Sequence, residues 1–295
     1  MRILVTGTQG QIARALLERG AAEGVAIEAL GRPVYDLLRP SRLAEAVEAS
    51  GADVVVNAAA YTAVDKAESE PEFAAAINGE AAGEIARAAA RRGVPIIQLS
   101  TDYVFDGALG RPYREDDPLT PINAYGRSKL AGERAVAAAN PRHVVLRTAW
   151  VYSPFGANFV KTMLRLGETR DTVRVVADQI GSPTSAFDIA DAILAIARRL
   201  TTAPGDATSY GVFHLVGSGE ASWADFADAV FAEAQRFGRA PVVVVPIVTA
   251  DYPTPARRPA NSRLDTGKLQ TVYGIRPPEW RASLASCVER LAAGL

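Results

Sequence analysis

Short apolar runs alternate with longer alanine-rich stretches through the first half of the chain. Runs such as Val54-Val55-Val56 are apolar without interruption, which predicts strands buried on both faces of a helix-covered parallel sheet. The predicted strands are Arg2–Thr6, Val25–Leu30, Asp53–Asn57, Pro95–Ser100 and His143–Arg147. The predicted helices are Gln11–Glu23, Ser41–Ser50, Pro71–Arg92 and Tyr125–Asn140. Alternation at these lengths predicts an α/β fold of the doubly wound type.

The pattern becomes less regular after Val151, where Pro and Gly punctuate shorter elements. We expect strand Thr172–Val176 and helix Ala186–Leu200 to return to the main sheet, and Ser222–Leu295 to form a smaller α/β cap. Within the cap, the pattern predicts helix Trp223–Phe237 and strand Val242–Ile247. The predicted division is a dinucleotide-binding domain of residues 1–150 with 172–216, and a substrate-binding part of 151–171 and 217–295. A substrate would bind between the two.

Charge and cysteine content exclude several classes of function. Thirty-two basic residues nearly cancel 33 acidic ones, so we expect neither nucleic acid nor a membrane surface as a partner. The single cysteine, Cys287, excludes an internal disulfide and disfavours a cysteine metal site. Both histidines, His143 and His214, fall in predicted strands and are interpreted as structural. With neither a signal peptide nor an apolar run of the ~18 residues that a membrane helix needs, we expect a cytoplasmic protein.

A glycine turn follows the first predicted strand and opens the first helix. Gly7 and Gly10 allow the backbone to turn tightly and to approach a pyrophosphate, whose charge the helix N-terminus at Gln11 and Ile12 favours. A glycine pair alone is weak evidence for a dinucleotide site, because any tight strand–helix turn can contain one. Its place between strand and helix makes it a candidate dinucleotide site and predicts a Rossmann-type sheet. The spacing of the two glycines favours the short-chain dehydrogenase pattern.

The end of the second strand bears on the choice of cofactor. Leu30-Gly31-Arg32 offers no acid for an adenosine 2′-hydroxyl, whereas Arg32 could meet a 2′-phosphate, so NADPH is favoured over NADH. An ordinary exposed arginine is an equally good interpretation of Arg32. Asp36 and Leu37 follow in the loop that could frame the adenine. After the third strand, Ala58, Ala59 and Ala60 are small enough for a cofactor to cross, although plain helix–sheet contact would also select them.

Tyr125 and Lys129 stand four residues apart, on one face of a predicted helix. An ammonium beside a tyrosine stabilises the phenolate and lowers the tyrosine pKa from about 10, which makes proton transfer near neutral pH feasible. Such a pair alone is more often a surface feature. Ser100-Thr101-Asp102 ends the fourth predicted strand, where ligands bind in open α/β sheets. A hydroxyl there can orient a substrate carbonyl, so the three signals together predict a reductase site.

Five longer segments extend the pattern, and they are Ala58–Glu68, Ser100–Gly107, Arg147–Tyr152, Asp178–Thr184 and Arg258–Asp265. With the glycine turn and the Tyr125–Lys129 pair, they resemble the dTDP-4-dehydrorhamnose reductase family of the extended short-chain dehydrogenase/reductase superfamily. The resemblance implies reduction of the C4 ketone of dTDP-4-dehydro-L-rhamnose to dTDP-L-rhamnose with NAD(P)H. It spans the chain from the first strand to the cap.

The resemblance also implies roles for individual residues. Thr101, Tyr125 and Lys129 would be catalytic, and Thr101, Asp102 and Trp150 would contact the substrate. The expected cofactor contacts are Gly7, Gly10, Gln11, Ile12, Arg32, Asp36, Leu37, Ala58, Ala59, Ala60, Tyr61, Thr62, Leu99, Tyr125 and Lys129. Trp150 could stack on the sugar or base, although a buried core tryptophan is an equal alternative.

Two positions depart from the family pattern. Tyr61 stands where many relatives carry His, which should not disturb the chemistry. Some relatives bind Mg²⁺ between subunits through surface glutamates. Ala15 replaces an acid that could contribute, so no metal is carried over, and a homodimer stays one candidate for the assembly.

The irregular second half is expected to choose the nucleotide sugar. Asn158, Phe159 and Gln179 offer amides and an aromatic face, and Arg258 could bind the diphosphate bidentately. Arg257 and Arg258 as plain surface charges are the alternative.

Two rival functions stay open. A nucleotide-sugar epimerase or dehydratase shares the fold, but a dehydratase suits an adjacent acid pair, whereas Tyr103 follows Asp102 here. A non-catalytic dinucleotide-binding subunit, such as the regulatory β subunit of methionine adenosyltransferase, resembles the same family. The complete set of Thr101, Tyr125 and Lys129 argues against such a scaffold.

Overall fold

The computed structural model describes residues 1–294, which form twelve strands and eleven α-helices, numbered here in chain order. The strands are β1 Arg2–Thr6, β2 Ala26–Leu30, β3 Val54–Asn57, β4 Ile96–Thr101, β5 His143–Thr148, β6 Val151–Tyr152, β7 Thr172–Val176, β8 Ile180–Gly181, β9 Thr184–Ser185, β10 Gly211–His214, β11 Ala221–Ser222 and β12 Val243–Ile247. The helices are α1 Gln11–Ala22, α2 Pro40–Ala49, α3 Val64–Ala67, α4 Pro71–Ala75, α5 Ala81–Arg91, α6 Ala124–Ala139, α7 Phe159–Leu166, α8 Ala186–Thr202, α9 Trp223–Gln235, α10 Gly267–Tyr273 and α11 Trp280–Ala292.

Six strands form one parallel sheet in the order β10-β5-β4-β3-β1-β2. Successive residues of β1 face opposite layers: Ile3 and Val5 pack with α1 and α8, whereas Leu4 packs with α2 and α5. Because both faces are covered, the strands need apolar residues at every position, as their uninterrupted sequences indicate. The predicted α/β, Rossmann-type sheet is confirmed.

The chain reverses its direction of travel across the sheet between β1 and β3. From β1 it runs outward to β2, and then crosses to place β3 on the other side of β1. In open α/β sheets, ligands bind outside the strand ends at such a switch point. The fold therefore brings the turn after Thr6, which ends β1, next to the turn after Asn57, which ends β3.

The boundaries predicted for the first half agree with the structure to within one residue at each end, except that the helix predicted for Pro71–Arg92 is subdivided. A π-helical turn at Ala76–Glu80 separates α4 from α5. Helix α6 approaches this turn so closely that a methyl group on Gly132 would lie 2.0 Å from the Asn78 carbonyl oxygen. The sequence pattern has the helical period throughout and does not show this turn.

The expectation that Thr172–Val176 returns to the main sheet is wrong. This strand, β7, pairs in parallel with β12, and its Val173 and Val175 belong to a separate apolar cluster with α7, α9 and α11. Helix α8 does cover the main sheet, and the strand that joins the sheet after it is β10. A five-residue strand with alternating burial can pair with any free edge, so its partner is not a local property.

The predicted cap is also less uniform than expected. Helix α9 and strand β12 lie in the separate apolar cluster, but Leu269 of α10 is buried in the main-sheet core. Leu295, the last residue of the predicted cap, lies outside the described residues. Both histidines lie in main-sheet strands, β5 and β10. No helix within residues 1–294 is long and apolar enough to cross a membrane.

Candidate active site

The turn after β1 is shaped by its two glycines. Gly7 has a φ of +93° and donates its N–H to the Leu30 carbonyl at 2.6 Å, and a side chain in this left-handed backbone would be strained. A methyl group at Gly10 would meet no atom within 4 Å. Helix α1 begins at Gln11 with no side-chain cap, so no side chain of the N-cap residue occupies the N–H groups of its first turn. These features fit a dinucleotide pyrophosphate.

The turn after β3 lies against the glycine turn. A methyl group at Gly7 would lie 3.4 Å from Ala59 Cβ, and Thr6 Oγ1 accepts the Ala59 N–H at 3.1 Å. Asn78, a residue that the sequence does not single out, holds the backbone of Tyr61 on both sides: its Oδ1 accepts the Tyr61 N–H and its Nδ2 donates to the Tyr61 carbonyl. Tyr61 itself donates its hydroxyl to Glu70 and contacts Phe73 edge-on. Ala58 to Ala60 are half-buried at the strand end, as expected of a cofactor floor.

The residues expected around the adenosine follow β2. Arg32 is exposed, and Asp36 accepts the Leu38 N–H at 3.0 Å in a local turn. Leu37 packs on the core beneath α2. Thr62 is exposed beyond the β3 turn. Their contacts with a cofactor remain predictions.

The three predicted catalytic residues are buried and come together at the end of β4. Thr101 is the last residue of β4, and Tyr125 and Lys129 lie on α6, which packs against that strand. Lys129 donates its Nζ proton to the Leu99 carbonyl oxygen at 2.7 Å. Leu99, expected at the cofactor site, therefore anchors the lysine through its backbone.

Burial controls the protonation of this group. It raises the pKa of Tyr125, the charge of Asp102 adds to the rise, and the Thr101 hydroxyl opposes it. Burial lowers the pKa of Lys129 to about 8, against the attraction of Glu133. Burial dominates the pKa of Tyr125, and Lys129 bonds to the Leu99 carbonyl, so the expectation that Lys129 lowers the pKa of Tyr125 stays a prediction. Tyr125 is consequently a protonated hydroxyl near neutral pH, which is the form that donates a proton.

Asp102 follows Thr101 and is almost fully buried. Its Oδ1 accepts the Thr101 hydroxyl proton at 3.0 Å, whereas its Oδ2 has no hydrogen-bond partner among the described residues. Burial raises the pKa of Asp102 to about 6, opposed by the hydroxyls of Ser262 and Thr101. An unpaired buried oxygen beside Thr101 is a feature expected of a substrate contact.

Trp150 has a φ of +49°, the one positive φ of a non-glycine residue within residues 1–294. Its indole stacks on Trp223 with ring centroids 3.6 Å apart, and a methyl group at Gly181 would lie 2.5 Å from it. Such backbone strain persists only where surrounding contacts hold it. The sequence predicts the helix that begins at Trp223, where the Ser222–Asp225 capping box lies, but it does not predict the contact of Trp223 with Trp150.

The remaining predicted substrate residues are engaged within the chain. Asn158 caps α7 by accepting the Lys161 N–H, and its Nδ2 donates to Gln11 at 3.0 Å. Phe159 stacks on Phe226 inside the second apolar cluster. Gln179 is buried and donates to Thr249. Gln11 thus links the glycine turn to the segment that precedes α7.

Arg258 is held by a carboxylate rather than left free. Its Nη2 and Nη1 donate to the two carboxylate oxygens of Asp65, at 2.8 and 3.1 Å. The adjacent Arg257 carbonyl accepts from Asn123 Nδ2 at 2.8 Å. Asn123, also missed by sequence reasoning, caps the catalytic helix α6 by accepting the Gly126 N–H. The Arg258 guanidinium thus holds this segment beside α6, and its contact with a diphosphate stays a prediction.

A parallel sheet in this order, with an open glycine turn at its switch point and a Tyr–Lys helix beside a strand-end hydroxyl, defines a Rossmann-type protein of the short-chain dehydrogenase/reductase class. Residues 1–293 match the family described as the RmlD substrate binding domain. The chain belongs to this family, that of the dTDP-4-dehydrorhamnose reductases.

Several relatives support the assignment. The dTDP-4-dehydrorhamnose reductase of Sinorhizobium fredii is 55% identical, over 96% of this chain and 95% of its own. Among solved structures, that of a dTDP-4-dehydrorhamnose reductase from Clostridium acetobutylicum superposes with a TM-score of 0.91 at 37% identity, covering 99% of both chains. The Bacillus anthracis dTDP-4-dehydrorhamnose reductase in complex with NADP gives 0.90 at 34% identity, covering 98% of this chain and 99% of its own. The predicted resemblance is confirmed.

Proposed function

We propose that this protein reduces the C4 ketone of dTDP-4-dehydro-L-rhamnose to a hydroxyl, giving dTDP-L-rhamnose, with NADPH as the favoured reductant and NADH as the second candidate. The observation that carries the proposal is the buried group of Thr101, Tyr125 and Lys129 at the end of β4, on the same edge of the parallel sheet as the open glycine turn. Relatives named for this reaction, one of them crystallised with NADP, support the substrate and the cofactor.

The glycine turn and the first turn of α1 would hold the pyrophosphate, and Lys129 the nicotinamide ribose. When bound, the dinucleotide supplies a hydride to the substrate carbon. Tyr125 donates its hydroxyl proton to the carbonyl oxygen, and its raised pKa keeps that proton available near neutral pH. Thr101 has a single hydroxyl proton, now given to Asp102, so a substrate oxygen must compete with Asp102 for it.

Trp150 and Asp102 would contact the sugar, and the segment after Trp150 would choose the nucleotide. This part of the proposal includes the division into a cofactor-binding and a substrate-binding part. Asn158, Gln179 and Arg258 would act there by shaping the loops, since their polar groups are engaged within the chain. A homodimer and a cytoplasmic location stay predictions from sequence.

A direct assay separates the proposal from its rivals. NADPH and NADH oxidation is followed with 4-keto-6-deoxy sugars carried on dTDP, UDP and GDP. We expect stoichiometric oxidation with the dTDP sugar. Product formation without net cofactor consumption would indicate an epimerase, and cofactor binding without turnover a scaffold.

Tyr125→Phe provides the test of the proton donor. Loss of a positioned acid should lower kcat by roughly 10²-fold or more, with little change in NADPH affinity. Tyr103→Phe is the matched control, because Tyr103 lies edge-on to Tyr125 with ring centroids 5.6 Å apart. If Tyr103→Phe were the severe variant and Tyr125→Phe the mild one, the assignment would be reversed.

A further inference from the structure

A buried ion pair lies beside the catalytic group and is not used in the mechanism above. Arg147 of β5 donates from Nε to Glu133 Oε1 at 2.9 Å and from Nη2 to Glu133 Oε2 at 2.7 Å. The exposed fractions of the two side chains are 2% and 5%. Ser100 adds a third bond, its hydroxyl donating to Glu133 Oε1 at 2.5 Å. Every bond is donated to the carboxylate, and a guanidinium stays charged, so both partners are ionised inside the protein.

Stability alone does not account for such a pair. Removing two charges from water costs several kcal/mol each, and well-packed apolar residues usually stabilise a fold as well or better. A buried pair at this position therefore points to a role in the neighbouring chemistry, and the position is specific. Ser100 precedes the catalytic Thr101. Arg147 lies opposite Ser100 where β4 and β5 pair.

The glutamate of the pair lies on the same helix as the catalytic lysine. Glu133 follows Lys129 by four residues on α6, which places the two on one helix face with Cβ atoms about 5–6 Å apart. Arg147 reaches Glu133 from β5, and Glu133 is the charge of the pair that raises the pKa of Lys129. Lys129 needs this charge, since it is 4% exposed and its Nζ bonds to a neutral carbonyl.

We propose that Glu133, fixed by Arg147 and Ser100, keeps Lys129 protonated and thereby sets the upper pH limit of the reaction. Glu133 and Arg147 are positioning residues that act through Lys129. The carboxylate opposes the burial that drives Lys129 toward its neutral form, while Arg147 prevents the carboxylate from turning away. A neutral Lys129 would no longer present a positive charge to Tyr125 and to a bound ribose.

The other groups around the pair contact or face Arg147. Arg147 Nη1 lies 3.5 Å from the Glu115 carbonyl oxygen, and its guanidinium lies over the Phe105 ring. His214 is close enough for the Arg147 charge to contribute to its pKa of about 3, so its imidazole is neutral across the working range. Asp102 acts on Tyr125 rather than on Lys129. Removing the charge of Glu133 should thus change the pKa of Lys129.

The chain makes a direct measurement possible, because it contains four lysines: Lys66, Lys129, Lys161 and Lys268. Lysine labelled with ¹³C at Cε gives one NMR signal for each, and Lys129→Arg assigns the relevant one. Titration of the wild-type protein without ligands then reports the pKa of Lys129, for which we expect about 8. This measurement needs no substrate, so it stands or fails separately from the proposed function.

Three variants test the pair. Glu133→Gln keeps the shape and removes the charge, and should lower the pKa of Lys129 by about one to two units. Glu133→Gln with Arg147→Met removes both charges, leaves no unpaired cation and should shift the pKa in the same direction by less. Glu84→Gln removes a surface acid that pairs with Arg87 and should leave Lys129 unchanged.

The proposed function adds one consequence, which rests on it: the basic limb of the kcat profile should move to lower pH with the Lys129 titration. A folded Glu133→Gln protein with an unshifted Lys129 titration would overturn the proposal. If Glu133→Gln does not fold, the double variant decides in the same way. If the Lys129 titration shifted but neither the wild-type protein nor any variant had reductase activity, the role of the Glu133–Arg147 pair would be supported and the proposed function refuted.

Discussion

Asp102 combines near-complete burial with an ionisable carboxyl group. Its pKa is about 6 in the folded protein and about 4 in an unfolded chain, so folding is more favourable when the carboxyl is protonated. Stability from this residue is fully present below about pH 4 and is lost as pH rises through about 6. The shift of about two units corresponds to roughly 3 kcal/mol that the ionised carboxyl costs at pH 7.

We therefore expect Asp102→Asn to change stability in a pH-dependent way. Thermal unfolding of variant and wild type at pH 4.5 and 7.5 provides the measurement. Relative to wild type, the variant should gain stability at the higher pH, while substrate binding weakens. A stability difference that is equal at both pH values would mean that Asp102 is already ionised without penalty.

Arg32 tests the choice of cofactor at a single side chain. Arg32→Ala should weaken NADPH binding by about 1–3 kcal/mol, the range for losing a charge-assisted hydrogen bond to a 2′-phosphate. NADH binding should hardly change. Arg39→Ala removes another arginine of the β2–α2 segment as a control. Equal losses for both cofactors in Arg32→Ala would exclude a phosphate contact.

At the scale of the element, helix α6 carries both Tyr125 and Lys129, so its first turn must be fixed. Asn123 accepts the Gly126 N–H at 2.7 Å, and Glu68 accepts the Ala124 N–H at 2.6 Å. A methyl group at Gly126 would lie 2.1 Å from the Tyr103 carbonyl oxygen, so the turn lies directly against the segment after β4. These contacts place the Tyr125 hydroxyl near Thr101.

Asn123→Ala should loosen that turn. We expect a loss of about 1–2 kcal/mol in the free energy of unfolding, as for other helix caps, and a decrease in kcat of roughly tenfold or more from misplacement of Tyr125. Ser185→Ala removes the cap of α8 and is the matched control, with a similar stability loss and normal kcat. Equal kcat values for both variants would show that the cap serves stability alone.

At the scale of the whole molecule, the Asp65–Arg258 pair joins α3 to a segment near the end of the chain. If the pair acts by holding that segment beside α6, Asp65→Asn and Arg258→Ala should each raise KM for the nucleotide sugar several-fold and leave KM for NADPH unchanged. We expect this result, because both guanidinium Nη atoms already donate to Asp65. If only Arg258→Ala changed KM, and dTDP competed less well with substrate in it, Arg258 would bind the diphosphate directly.

What the sequence by itself determined is largely local. Uninterrupted apolar strands, a glycine turn between strand and helix, and a four-residue Tyr–Lys spacing depend on backbone geometry and helix period, which neighbouring residues control. The sheet, the glycine turn and the Thr101, Tyr125 and Lys129 group could therefore be predicted.

Tertiary structure alone decided which surfaces and charges meet. Val173 and Val175 show that β7 has one buried face, but not that β12 pairs with it. Trp223 behind Trp150, Asp65 against Arg258, and Arg147 on Glu133 are likewise contacts between distant segments. The sequence specifies that a face is apolar or that a charge is present, whereas its partner depends on how the layers of the fold pack together. The burial and the neighbouring charges that result from this packing then shift the pKa of Lys129, Tyr125 and Asp102.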